Sequence, residues 1–457
     1  MSQEDSGLLR HVGLRSATAL VVANMIGAGI FTTTGFQAEA LGHPGYIFLL
    51  WIVGGILALC GALCFAELGA AMPEAGAEYV YLRETYGQAF AFMSAFVSLV
   101  AGFSAPIAAA AEGFVKYAAH FVPILAEDTQ LIGQLHSSDL VALILVWSLV
   151  AMHSIGVRVG IGFTDLVTLF KVTGILAIIL AAFAFGKGNL ANLTTVSPEF
   201  YDLSTVDTFS AFATSLIFVT FCYLGWNASA YLAAEMKHPQ RDLPRSLLLG
   251  TALVTALYLA INAVYFYGAA THEMAGTVEV GITSATTLFG PTGVALVTSV
   301  ICVSILASAS AMTVAGPRVY YAFGKDCAPL RFLARTGPKT GAPTPALVLQ
   351  GVVISIIIFM GNIDQIIQYA GFTLTLFSSL AVACVIVLRI RRPDMPRPFR
   401  VWGYPWPPLL YLSVSVWVMV WAAHARPIES FLALATVCAG GLLFVILPKQ
   451  VSSPPPG

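Results

Sequence analysis

The sequence predicts an all-α polytopic membrane protein of twelve transmembrane helices, and three observations carry that reading. The 457 residues are 58% hydrophobic and only 10% charged, too little charge to coat a soluble globule of that size. Apolar runs long enough to cross a hydrocarbon core of roughly 30 Å, about 20 helical residues each, recur along nearly the whole chain. Two of those runs are interrupted by glycine at places five runs apart, the mark of an internal repeat.

In chain order the expected spans cover residues 16–40, 45–70, 88–119, 138–153, 161–185, 208–235, 246–270, 291–323, 344–360, 363–390, 404–423 and 429–447. Met1 to Arg15 is polar and mixed in charge, and the run after it is too long for the apolar stretch of a cleavable signal. The first span is therefore expected in the mature protein. Lys and Arg are retained on the cytoplasmic side during insertion. With both termini cytoplasmic, 18 of the 22 basic residues fall inside, Lys187 and Arg426 fall outside, and Lys116 and Lys171 lie within spans. The expectation is a multi-pass protein of the cell's inner (plasma) membrane, with cytoplasmic tails at 1–15 and 448–457.

The first interruption is Met25-Ile26-Gly27-Ala28-Gly29-Ile30-Phe31. Glycine is a poor helix former, and unwinding in hydrocarbon frees N–H and C=O groups that must find partners. A bound solute is one such partner. The competing reading is that Gly27 and Gly29 simply let another helix pack closely. The second interruption, Phe221-Cys222-Tyr223-Leu224-Gly225-Trp226-Asn227, lies in the sixth span. Five spans is an odd number, so the second half would enter the membrane from the opposite side, as in inverted-repeat transporters with a site at the midplane. Unwinding at Gly27 to Gly29 exposes the N-terminus of the outer half-helix, which suits a carboxylate. Unwinding at Phe221 to Gly225 exposes carbonyls that suit an ammonium. An α-amino acid carries both groups on one carbon.

These residues resemble the amino acid–polyamine–organocation superfamily, and within it the L-type amino acid transporters and their bacterial relatives. Ile26-Gly27-Ala28-Gly29-Ile30-Phe31 is similar to the family's first-span G-[SA]-G-I-F, and Phe221 to Asn227 to its sixth-span F-x-Y-x-G-W-N. Ala66-Glu67-Leu68-Gly69 with Met72 to Leu82 resembles the inner loop after the second span. Glu235 with Pro239, Arg241 and Leu243-Pro244 resembles the segment after the sixth, and Arg391 to Arg400 the basic, proline-rich loop before the eleventh. The resemblance spans about residues 10–450. It implies a LeuT-type 5+5 inverted repeat with discontinuous helices 1 and 6. The transport core would be 16–390, with repeats 16–185 and 208–390, and helices 11 and 12 (404–447) would lie outside it. The substrate carboxylate would meet the N–H groups of Gly27, Ala28, Gly29 and Ile30, and its ammonium the carbonyls of Ile26, Phe221, Cys222 and Leu224. Gly225 and Asn227 join the candidate substrate site from the same motif, and Phe221 resembles the aromatic gate that closes over the substrate from outside.

Lys171 lies about ten residues into the fifth span, on the order of 15 Å from its inner end, further than a lysine comfortably snorkels. An ionisable residue at that depth is by default functional. Sodium-coupled members of the fold bind an ion between the first and eighth spans, and the fifth-span lysine of sodium-independent relatives takes its place. By that resemblance Lys171 would bond carbonyls near Gly27 and an eighth-span hydroxyl, Ser308 or Ser310. The competing reading points it down the cytoplasmic vestibule toward Asp165. Burial of such a lysine would also permit proton coupling.

Other polar groups receive plainer readings. Glu112 and Lys116, four apart near the outer end of the third span, are expected to neutralise each other. Glu67 and Glu235 sit at inner span ends, where the resemblance implies structural or gating contacts. The histidines avoid span centres, and no outer loop holds a cysteine. Heteromeric animal relatives are linked to a glycoprotein through a cysteine in the loop after the third span. Phe121 to Ser137 contains none, so a stand-alone, bacterial carrier without a disulfide-linked heavy subunit is expected. The sequon Asn192-Leu193-Thr194 would matter only in a glycosylating host.

The predicted function is sodium-independent amino acid transport by alternating access, through exchange or proton symport. Neither break has a carboxylate beside it, which favours neutral substrates over the alternative of cationic amino acids or polyamines. A non-transporting amino acid sensor would need a longer cytoplasmic output segment than these tails supply. An enzyme finds no support: there is no H-E-x-x-H, G-x-S-x-G, Walker loop or His/Cys metal cluster. No cofactor or nucleic acid is implied, and the spans are too apolar to line a channel.

Overall fold

In the computed structural model the first apolar run folds as two helices rather than one. Helix α1 (Leu14–Met25) stops as Ile26 turns extended, and α2 (Gly29–Leu41) restarts three residues later. The structure describes residues 10–122, 125, 130–132, 135–277, 279–337, 340–360 and 363–446. The tails 1–9 and 447–457, and much of the loop from 121 to 137, lie outside the described residues.

The chain continues through α3 (Pro44–Ala71), α4 (Glu78–Tyr86), α5 (Gln88–Val97), α6 (Ala105–Ala118), α7 (Ser137–Ile155), α8 (Val157–Phe185) and α9 (Thr205–Tyr223). It is completed by α10 (Pro239–Gly268), the short α11 (Thr271–Met274), α12 (Val280–Asp326), α13 (Thr344–Met360), α14 (Ile363–Arg391), α15 (Trp406–Ala425) and α16 (Pro427–Ile446). Among the described residues, eleven helical segments are long and apolar enough to cross a membrane, and Thr344–Phe359 is a shorter apolar helix. The protein is a helical, multi-pass membrane protein. One small antiparallel hairpin, β1 (Gln130–Ile132) and β2 (Leu135–His136), precedes α7.

Local chemistry explains several boundaries. Gly42 ends α2 in the left-handed conformation that a Cβ disfavours, and Pro44 starts α3 at a position where its missing N–H costs nothing. Ser204 and Asp207 cap α9 reciprocally. Three features depart from the sequence expectation. The third span is not uniform, because Ser98–Ser104 between α5 and α6 is π-helical. The eighth begins at Val280 rather than 291, with a kink where Gly290 takes φ 67°. The seventh begins at Pro239 and tolerates Pro244 inside its first turns.

Helix α3 packs against α10, α6 against α12 and α7 against α13, while α15 and α16 lean on the flank formed by α3, α5, α9 and α14. Helix α1 lies between α10, α8 and α12. Residues 11 and 12 pair with the chain just after the sixth span: His11 and Val12 N–H both donate to Glu235 O at 2.9 Å. Residues 11 and 12 therefore lie on the same face as the Glu235 end of the sixth span, which is called the terminal face. Helix α8 exposes Leu166, Leu169, Phe170, Leu180 and Phe183 on one side, as a bilayer-facing helix would, and buries Gly160, Thr164, Thr168, Lys171 and Ile175 on the other.

Candidate functional site

The two glycine breaks meet. In the sixth span α9 ends at Tyr223, the chain turns through Leu224 to Asn227, and it resumes as a 3₁₀-helix over Ala228–Glu235. Gly225 takes φ +100°, and a Cβ there would lie 2.8 Å from Asn24 Cβ and 3.0 Å from the Asn24 carbonyl carbon. A Cβ at Gly29 would lie 2.6 Å from Cys222 Sγ. Only glycine lets the backbones approach this closely. The two readings of Gly27 and Gly29 are therefore not exclusive, because close packing of the broken helices is what brings their free backbone groups together.

Tyr258 of α10 joins both breaks: its hydroxyl lies 2.6 Å from Met25 O and 2.9 Å from Cys222 O. Its ring packs with Trp51 and Tyr223, each 5.1 Å away between centroids. Tyr223 Oη donates to Trp51 O at 2.8 Å, which fixes the end of α9 to α3. Sequence reasoning did not single out Tyr258. The available signal was Asn262 one turn later, a second polar group on the same buried face of an apolar run; Asn262 Oδ1 accepts from Thr34 Oγ1 of α2 at 2.7 Å.

Around the breaks lies a cavity of about 340 Å³, within the range of small-molecule sites. Gly27, Ala28 and Gly29 line it from the first span, and Phe221, Cys222, Leu224, Gly225 and Asn227 from the sixth. Ile26 and Ile30 are buried behind that lining. Away from the terminal face the cavity reaches Lys116, which is exposed, and Glu279. These are its only charged lining residues among those described.

The backbone groups are unequally occupied. Among the described residues, no acceptor meets the N–H groups of Ala28, Gly29 or Ile30, whereas Gly27 N–H donates to Met25 O at 3.0 Å. The carbonyls are mostly engaged. Phe221 O accepts from Leu224 N–H at 3.0 Å, Cys222 O from Tyr258, and Ile26 O from Lys171. Among the described residues the carbonyl of Leu224 has no donor. A carbonyl has two lone pairs, so the engaged ones can each accept once more.

Lys171 is fully buried, and its Nζ donates to Ala23 O at 3.0 Å and to Ile26 O. The ammonium thus replaces the helical partners that the end of α1 lacks. It does not point to Asp165, which instead accepts from Ser16 Oγ at 2.6 Å. The eighth-span hydroxyls differ from expectation. Neither Ser308 nor Ser310 bonds Lys171 in this structure. Ser308 Oγ faces Asn24 O at 3.5 Å, at the outer limit of a hydrogen bond, and lines the cavity. Ser310 Oγ lies 3.0 Å from His153 Nε2 and 2.9 Å from Thr164 Oγ1. Buried His153 at the end of α7 draws that hydroxyl away, a helix-packing outcome that spacing within the eighth span does not encode. The expected Glu112–Lys116 pair also fails to form: Glu112 Oε1 is buried without a partner, and Lys116 faces the cavity mouth.

Ion pairs cluster on the terminal side of the cavity. Arg318 of α12 forks onto Glu235 at 2.8 and 3.2 Å in a buried pair. Arg83 Nη1 meets Asp326 at 2.9 Å, and Arg389 grips Glu67 beneath the ring of Tyr404. No group of three or more His, Cys, Asp or Glu side chains able to hold a metal occurs among the described residues.

Comparison with known proteins gives a consistent picture. The chain is 28% identical over 443 residues to the human (Homo sapiens) b(0,+)-type amino acid transporter 1, covering 97% of this chain and 88% of that one. It is 30% identical over 422 residues to the serine/threonine exchanger SteT of Bacillus subtilis (strain 168), with 92% of each chain covered. It is 27% identical over 444 residues to the large neutral amino acids transporter small subunit 2 of Mus musculus, covering 95% of this chain and 80% of the relative. These relatives are transporters and exchangers, not enzymes. The model of the family described as amino acid permease matches residues 12–445, and the chain belongs to that family.

Proposed function

We propose that this protein is a sodium-independent carrier of neutral amino acids that works by alternating access, with the cavity between the two breaks as its substrate site. The observation that carries the reading is the unequal filling of the breaks: three adjacent N–H groups at the start of α2 are open toward a carboxylate, and the Leu224 carbonyl is open toward an ammonium. The packing of α3 on α10, α6 on α12 and α7 on α13, each pair five spans apart, supports a twelve-span chain with a LeuT-type inverted repeat. Lys171 Nζ donates to the carbonyls of Ala23 and Ile26, where a coupling cation would otherwise be needed. That supports sodium independence.

Neutral preference rests on the lining. Gly102, Phe103, Pro106, Ala109, Ala110 and Leu374 offer an apolar wall, and the charged residues stand at the mouth. Phe221 is the outer gate in this reading, and the Arg318–Glu235 and Arg83–Asp326 pairs close the inner side. Both termini are cytoplasmic and the carrier works in the plasma membrane without a disulfide-linked subunit.

The test uses purified protein in liposomes, loaded or empty, with a panel of labelled amino acids and with sodium, proton or no gradient. Neutral amino acids are expected to be taken up without sodium. A strict sodium requirement, or preference for arginine or a polyamine, overturns the corresponding part of the proposal.

A further inference from the structure

The loop between α3 and α5 buries a carboxyl group that the substrate site does not use. Glu78 begins α4, is 3% exposed, and sits where α4 meets the broken sixth span and α14. Its Oε1 accepts from Asn227 Nδ2 at 3.0 Å and from Ser378 Oγ at 3.0 Å, and Asn227 Nδ2 also donates to Tyr231 Oη at 3.1 Å. Asn227, Tyr231 and Ser378 all line the cavity. Glu78 therefore lies one side chain beneath the cavity, on its terminal side.

The backbone is strained where it aims this group. Ala77, immediately before it, has φ +43°, the only positive φ at a non-glycine among the described residues, and Gly76 before that has φ +105°. Such conformations persist only where the surroundings over-determine them, and they gather at switch points.

Among the described residues no cation pairs with the carboxyl. The titratable groups facing it are Tyr81 on α4 itself, Tyr231 of the 3₁₀ segment, Cys384 of α14 and Tyr411 of α15. The nearby arginines are engaged elsewhere: Arg83 with Glu74 and Asp326, Arg389 with Glu67, and Arg318 with Glu235. Burial pushes the Glu78 carboxyl up to about 7, against the lowering effect of its hydrogen bonds from Ser378, Asn227 and Tyr231.

We propose that Glu78 is a proton-binding site that latches the terminal face shut. With its proton on, the carboxyl is neutral and stays buried under the cavity with Oε1 accepting from Asn227 and Ser378; without it, the closed face would bury a carboxylate that no cation pairs. Opening toward the terminal side admits water to the carboxyl, which gives its proton to that water. The inference rests on the alternating-access reading above and names the group through which protons act on it. The closed state binds the proton more tightly than a water-exposed carboxyl with the ordinary value of 4.5. Its extra hold is thus complete below 4.5, and is lost progressively as the pH rises through about 7.

The test is amino acid exchange in liposomes at equal pH on both sides. Wild-type exchange is expected to rise about tenfold from about pH 6 to about pH 8. Glu78→Gln keeps the acceptor oxygen and cannot ionise, so its exchange should stay at the wild-type low-pH rate throughout. A wild-type rate that is flat across this range overturns the proposal, as does the same pH transition in Glu78→Gln. If the wild type exchanges no amino acid, the transport reading fails and the latch is read directly, by infrared spectroscopy of the purified protein. A protonated-carboxyl band that disappears between about pH 6 and about pH 8 in wild type, and is missing from Glu78→Gln, supports the site. Absence of that band from the wild type overturns it.

Discussion

The two breaks interrupt apolar helices with glycine in similar ways, yet they finish differently. The first loses α-helix only between Met25 and Gly29, whereas the sixth never regains it and runs to Glu235 as 3₁₀-helix. The first break leaves donors open at Ala28, Gly29 and Ile30, while Tyr258 and Lys171 cover the carbonyls at its other end. In the sixth, Phe221 and Gly225 carbonyls are bonded within the break itself, and Cys222 is bonded to Tyr258. Among the described residues the first break thus leaves its donors unmet, while most carbonyls named around the site already accept one bond. A carboxylate would meet donors with no other partner, and an ammonium would share most of its acceptors.

Three substitutions sharpen or break this contrast. Lys171→Ala should have the largest effect, because it leaves the Ala23 and Ile26 carbonyls without their buried donor, at about 1–3 kcal/mol each. Uptake is expected to fall to the level of protein-free liposomes. Wild-type-like uptake would remove the lysine from the mechanism. Gly29→Ala should come next, since its Cβ would lie 2.6 Å from Cys222 Sγ, an overpacking cost of about 1–3 kcal/mol. The double variant Gly29→Ala, Cys222→Ala should recover much of the lost uptake. Additive losses instead would mean that the breaks do not press on each other at this point. Tyr258→Phe should be mildest, removing one hydroxyl shared by both breaks at about 0.5–1.5 kcal/mol. Its expected signature is a lowered melting temperature with a several-fold weaker apparent affinity. A change in one and not the other would show that the hydroxyl serves only stability or only binding.

Much of the architecture was legible in the sequence because hydrocarbon imposes simple demands. A span must be apolar and long, and a glycine pair within one must be answered by some partner. Lys171 was legible for the same reason: a cation that cannot reach the interface must have acceptors, and they are at Ala23 and Ile26. What escaped was lateral. The destination of the Tyr258 hydroxyl depends on which helix faces α10, and Ser310 turned to His153 because α7 and α8 converge there. The Glu112–Lys116 pair satisfied (i, i+4) spacing, but Lys116 looks into the cavity mouth. The π-helical turn at Ser98–Ser104 left no glycine or proline signal strong enough to place it, although Gly102 faces the cavity from it.

Helix α12 carries Ser308 beside the first break, Arg318 against Glu235 and Asp326 against Arg83 on a single rod. At 1.5 Å per residue, Ser308 and Asp326 are about 27 Å apart along its axis. It is therefore a long arm with one end beside the cavity, although Pro317 interrupts its hydrogen-bond ladder between the two. A tilt of about 10° pivoting at Ser308 would carry Asp326 about 5 Å, further than the Arg83 ion pair could stretch. An angle that leaves the Ser308 end in place would therefore be large enough to unfasten the Arg83 pair at the far end of the helix.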